Sequence, residues 1–299
     1  MTLAALDKTG RQDVSIPRVG ARISAYWTLY TLTLRQHLHG KRWLVLCGLF
    51  LLPASLAVLV RSTTSEAHSM ALEFLLVFMF IPQAILPLVA LLYASGIIQD
   101  EQEEQTITYL LIRPIPKWAI YLVKLLATLT TTVVLTAVFT VLSYAAIYVG
   151  AGVQEENIPL RCFKAVSIHA LAMVAYCSLF GLMSLITNRT LVVGILYTAI
   201  VEGLLANLPF SIRLASVIYY TRLITYRMLQ FYDPTSQGKT ENIAAEAWQF
   251  GSSEDVELAE HLNSTNCLAV LIVGSLLCAL LAAYLCSLRE FHVKTPEKD

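Results

Sequence analysis

The chain has 299 residues, 57% of them hydrophobic and only 14% charged, with zero net charge and a mean hydropathy of +0.64. Soluble domains carry about 25% charged residues, so most of this chain is not built to face water. Its balanced charge lacks the basic footprint of a nucleic-acid binder, and no nucleic acid is expected as a partner.

In chain order, residues 1–42 are polar and mixed, with no short apolar run and small-residue cleavage site behind a basic start. The first span is therefore expected to act as an uncleaved anchor. Within this segment Ile23, Trp27, Tyr30, Leu34 and Leu38 recur at helical spacing, with Arg22, Arg35, Lys41 and Arg42 around them. That pattern predicts an amphipathic interfacial helix that precedes the first span.

A helix crossing the hydrocarbon core needs roughly 20 apolar residues. Six stretches qualify: 43–60, 70–98, 120–149, 165–187, 191–208 and 267–288. Only helices or closed barrels satisfy their backbone groups in lipid, so the fold class is all-α, a polytopic membrane protein with six transmembrane helices. Pro82 and Pro87 are expected to kink the second span. Segment 209–266 lies between the fifth and sixth spans. Its first part, "SIRLASVIYYTRLITYRMLQFY", reads as a second interfacial helix, and its second part is polar. Residues 289–299 form a tail.

Lys and Arg in the flanks set the orientation. With the N-terminus in the cytoplasm, fourteen of them fall inside and seven outside. Both termini are therefore expected in the cytoplasm, together with the loop 96–118 and the short link 188–190.

That loop reads "GIIQDEQEEQTITYLLIRPIPKW". A run of acids and amides, Gln99 to Gln105, follows the end of the second span. Acids in the first turn of a helix favour its dipole. Thr106, Ile107, Leu110 and Leu111 supply an apolar part, and Pro114 and Pro116 stop it. Trp118 anchors the interface, and Lys124 can snorkel back from the third span. The segment reads as a short acid-headed helix on the cytoplasmic face, more ordered in pattern than a solvated turn.

This loop resembles the first cytoplasmic loop of the permease subunits of ABC transporters of the type 2, exporter-like class. The residues that carry the likeness are Glu101, Glu103, Thr106, Ile107, Leu110, Leu111, Pro114, Ile115, Lys117 and Lys124. Gln105 departs from it, standing where the family usually has Gly. The resemblance implies a plasma-membrane permease, set in the lipid bilayer, with a cytosolic ABC ATPase docked on a coupling helix at 96–118. It implies ATP-driven export, with ATP and Mg bound by that ATPase and no cofactor in this chain, and a second permease chain, identical or related. Glu101, Glu103, Thr106, Leu110, Leu111, Pro114 and Lys117 would then be the coupling residues. Glu202 and Gln83, polar groups inside the fifth and second spans, would border the substrate path.

Other chemistry finds little support. "QGKT" at 237–240 fails as a phosphate loop, because the required first Gly is Asp233. His37 and His39 do not share a helix face and have no Cys or carboxylate beside them, so no metal site is expected. His169 reads as a packed, hydrogen-bonded histidine. "ELAEH" at 257–261 has one His where a zinc-protease helix needs two. Asn263 begins a glycosylation sequon. Cys162 and Cys267 are expected on the outer side, where only their location argues for pairing. Burying the Glu202 charge costs about 2.5–3.5 kcal/mol on insertion scales, which marks it as functional or bonded to a neighbouring helix. Glu73 is expected to reach the outer interface. No catalytic set converges, yet a membrane-embedded enzyme around Glu202 and His169 remains one alternative. A non-transporting scaffold or sensor that binds ligand through 209–266 is another.

Overall fold

The computed structural model describes residues 19–40, 42–63, 69–103, 115–149, 157–208, 211–229, 231, 243–250 and 262–289. Among these the secondary structure is helical, without strands. Six helices are long and apolar enough to cross a membrane: span 1, Trp43–Thr63; span 2, Ser69–Gln99; span 3, Lys117–Tyr148; span 4, Ile158–Ile186; span 5, Thr190–Asn207; and span 6, Ser264–Leu288. The protein is an all-α polytopic membrane protein.

Spans 3 and 4 form the centre of the bundle, and span 6 packs on both. Apolar side chains fill two connected regions. One lies towards the loop 96–118, around Phe50, Leu86, Tyr121, Tyr176 and Phe180. The other lies towards the opposite, far end, around Phe74, Tyr144, Leu223 and Trp248. Close approach depends on two glycines. A Cβ on Gly181 would come within 2.7 Å of Tyr121 Oη, and one on Gly194 within 2.1 Å of Leu91 Cδ1. These positions let span 4 meet span 3 and span 5 meet span 2.

Spans 2 and 5 are not regular α-helices. Span 2 runs as π-helix over Glu73–Ile85, so that the Leu86 N–H reaches Ile81 O, five residues back. Pro82 lacks an N–H and crowds the preceding turn. The widened turns accommodate that conflict at one of the two prolines where the sequence predicts a kink. Pro87 sits in the first turn of the following helix Leu86–Ala94, where Pro is tolerated. Span 5 is π-helical over Thr198–Leu204, and the Leu205 N–H is shared by the carbonyls of Ile200 and Val201. Such turns are rare and cluster at functional sites.

The helix Val19–His39 crosses span 3, with Tyr30 Oη donating to Thr130 Oγ1 at 3.1 Å and His37 Nε2 3.1 Å from Thr128 Oγ1. Ile23, Trp27, Leu32 and Leu38 stay exposed on its other side, an apolar face suited to the membrane interface.

The expected interfacial helix after span 5 is instead inserted among the spans. Val217–Met228 packs against spans 4 and 6 and the π-helical part of span 2. It buries Ile218, Tyr219, Thr221, Arg222, Leu223, Ile224 and Thr225. Its start meets Glu202 inside span 5, and its last carbonyl, Met228 O, accepts from Lys164 Nζ near the start of span 4. It is a re-entrant helix. The physical reason is that its apolar residues lie on more than one side, so a flat interface would leave one side wet. All six cysteines, Cys162 and Cys267 included, are free thiols.

Candidate functional site

Three polar clusters stand out against the apolar bundle, at the loop end, at mid-depth and at the far end.

The loop end joins five spans. Lys124 is buried, and its Nζ donates to Ile97 O at 3.0 Å, tying span 3 to span 2 with a cation. Lys117 Nζ donates to Arg289 O at 3.0 Å, tying span 3 to the end of span 6. Arg289 Nη1 donates to Leu185 O at 2.6 Å near the end of span 4, and its Nη2 donates to Asn188 Oδ1 at 3.0 Å. Lys117 and Arg289 meet carbonyls at helix C-termini, where the macrodipole is negative. Gln99 Nε2 completes the cluster, donating to Thr187 O at 2.8 Å and to Thr190 Oγ1 at 2.7 Å. The end of span 2 is thereby tied to the link between spans 4 and 5.

The acids of the loop are placed differently from expectation. Asp100, Glu101 and Glu103 fall in the last turns of a helix Gly96–Glu103 that continues span 2, so they do not open a new helix. The apolar Ile97 and Ile98 carry the helix past the acids' start. Thr106, Leu110, Leu111 and Pro114 lie outside the described residues.

At mid-depth Glu202 is fully buried in the π-helical part of span 5. Its Oε1 accepts from Tyr197 Oη at 3.1 Å and from the Val217 N–H at 3.0 Å, and its Oε2 accepts from the Ile218 N–H at 3.0 Å. The carboxylate therefore closes the N-terminus of the re-entrant helix, where orphan N–H groups and the dipole favour an anion. Ser216 adds an ordinary cap, its Oγ accepting from the Tyr219 N–H at 3.1 Å. Gln83 lies in the π-helical part of span 2, and its Oε1 accepts from Arg222 Nη2 at 3.1 Å. Arg222 Nη1 donates to Asn207 Oδ1 at 2.8 Å. The structure thus brings Gln83 and Glu202 to one re-entrant helix. Arg222, which joins Gln83 of span 2 to Asn207 of span 5, is not a residue that the sequence singled out. An arginine on an apolar helix with no acid one turn away was the available signal.

At the far end Glu73 is fully buried, not exposed at an interface. Tyr144 Oη donates to its Oε1 at 2.6 Å, and Tyr148 Oη donates to Oε2. Arg161 Nε lies 3.2 and 3.1 Å from the two oxygens, and Arg161 Nη2 is 3.1 Å from Oε2. Burial is possible because span 3 and the start of span 4 bring donors to both oxygens. His169 is buried in span 4, its Nδ1 3.0 Å from Thr140 Oγ1 and its ring against Phe78. Among the described residues no three His, Cys, Asp or Glu side chains gather as a metal site.

A family model described as "ABC-2 family transporter protein" matches residues 38–203. The match takes in spans 1–4, the loop 96–118 and span 5 through Glu202, with Gln83 inside it. Among curated proteins none matches the chain. A six-span all-α bundle and a family match over more than half of the sequence agree, and the chain belongs to the ABC-2 family of transporter proteins, as a membrane-spanning permease.

Proposed function

We propose that this permease exports its substrate, driven by a separate cytosolic ATPase that binds ATP and Mg and docks on the loop 96–118. A second permease chain completes the pathway, and both termini and the loop face the cytoplasm of a cell whose plasma membrane holds the complex. Glu101, Glu103, Thr106, Leu110, Leu111, Pro114 and Lys117 form the docking and coupling set.

The observation that carries this reading is the polar cluster at the loop end. Lys117 begins span 3 and holds the end of span 6, while Gln99 ends span 2 and holds the link between spans 4 and 5. A push on the loop therefore acts on all of these spans at once. In this reading the substrate path follows spans 2 and 5, beside Gln83 and Glu202. Both side chains are occupied by the re-entrant helix, so substrate passage would require that helix to shift. The chain needs no nucleotide motif of its own in such a division of labour.

The test is co-purification of the tagged chain from its native membrane, beside a Glu101→Lys, Glu103→Lys variant. The expected result is an ABC ATPase bound to the wild type and lost or weakened in the variant, with ATP-driven accumulation of substrate inside inverted vesicles. A stable permease that carries no ATPase in either sample would overturn the reading.

A further inference from the structure

A cavity of about 220 Å³ lies between spans 4, 5 and 6 and the re-entrant helix. Ala175, Leu179, Val217, Leu271 and Gly274 form much of its wall. Its position is mid-membrane, since Ala175 and Gly274 each stand near the middle of a long span. Val270 and Ala215 line it and are also exposed, so it opens sideways on the surface of the bundle.

Three polar side chains on this wall are turned into bonds of their own. Ser275 Oγ donates to Ile272 O at 2.9 Å, Ser216 Oγ accepts from the Tyr219 N–H at 3.1 Å, and Tyr197 Oη donates to Glu202 Oε1 at 3.1 Å. A buried water needs two to four polar partners, and an apolar cavity of roughly 150 Å³ stays dry and takes a hydrocarbon ring instead. This cavity is larger, mainly apolar and opens at mid-span.

We propose that it is a binding site for one acyl chain of a membrane phospholipid, which enters between spans 5 and 6 and lies against the start of the re-entrant helix. The chain fills space that would otherwise forfeit dispersion contacts along Leu179, Val217 and Leu271. It also rests on Val217, whose N–H is bonded to Glu202, so the bound lipid bears on the same cap that fixes the re-entrant helix.

Gly274 makes the idea testable, because a Cβ there meets nothing within 4 Å. The purified permease is reconstituted in vesicles that contain phosphatidylcholine with a diazirine near the middle of one chain, and irradiated. Wild type is expected to crosslink at Leu179, Val217 and Tyr220. Gly274→Phe, which fills the cavity, should lower those yields at least fivefold, while crosslinks on the exposed face of span 1 stay unchanged. Gly274→Val should give an intermediate loss and serves if the larger side chain prevents folding. A parallel sample with diazirine-bearing free fatty acid distinguishes the source: crosslinking at these residues by the free acid alone would overturn a phospholipid as the occupant. Equal crosslinking in wild type and both filled variants would overturn the site itself.

Discussion

Arg222 and Gln83 stand 139 positions apart in sequence, yet Arg222 Nη2 donates to Gln83 Oε1 at 3.1 Å. The same guanidinium donates to Asn207 at 2.8 Å, so one cation on the re-entrant helix bridges span 2 and span 5. A hydrogen bond to a charged group contributes about 1.5–3 kcal/mol. Gln83→Leu should therefore lower the thermal stability of the purified permease by about that amount, and Arg222→Met by at least as much. A double-mutant cycle should give a coupling of at least 1 kcal/mol. Strictly additive losses would show that the bridge contributes nothing.

Glu73 gives the sharpest stability contrast. Removing one partner of a buried ion pair costs about 3–5 kcal/mol, because the other charge is left without compensation. Glu73→Leu strands Arg161 and should lose stability on that scale, somewhat less for the part of Arg161 that reaches solvent. Glu73→Leu combined with Arg161→Met should recover much of the loss. Thermal unfolding of the three proteins in one detergent decides it, and a double variant as weak as the single would contradict the argument.

Glu202→Gln tests whether the buried carboxylate acts as a cap. Glutamine keeps one acceptor oxygen but turns an NH₂ towards an N–H of Val217 or Ile218. Losing a helix cap costs about 0.5–2 kcal/mol. The expected signature is faster amide hydrogen exchange over 217–222, with the rest of the bundle little changed. Unaltered exchange there would remove the capping role.

Gly194→Val should separate spans 2 and 5. Its first added carbon would meet Leu91 Cδ1 at 2.1 Å, far inside contact distance. Overpacking of this kind typically costs about 1–3 kcal/mol. Leu91→Ala should relieve it, so the double variant is expected to be more stable than Gly194→Val alone. Melting temperatures of the set provide the check.

The spans were readable because twenty apolar residues in a row admit almost no other structure in lipid. Glu202 was readable as a group needing a partner, since an acid inside an apolar run has few ways to be satisfied. Its partners were not readable. Beside Tyr197 they are backbone N–H groups of Val217 and Ile218, which carry no residue-type signal at all. Glu73 was misjudged for a related reason: near a span end an acid can reach water, and nothing local says that Tyr144, Tyr148 and Arg161 will enclose it. The helix Val217–Met228 looked interfacial because its arginines interrupt an apolar pattern. Only the bundle shows that Arg222 spends its charge on amides inside. The wide turns had one local cause in view, Pro82, while those around Glu202 had none.

The spans are fastened at their two ends by different means. At one end cations close the carbonyl termini and cross-tie neighbours. At the other, Glu73 gathers spans 2, 3 and 4 around a single carboxylate. Between these fastenings span 2 carries its irregular, loosely wound turns, and span 5 carries its own beside the re-entrant helix. A rod clamped at both ends and compliant in the middle does not tip when it is loaded; it bows. The easiest deformation of this bundle is therefore a swelling at mid-depth, beside Gln83 and Glu202, with the ends keeping their spacing.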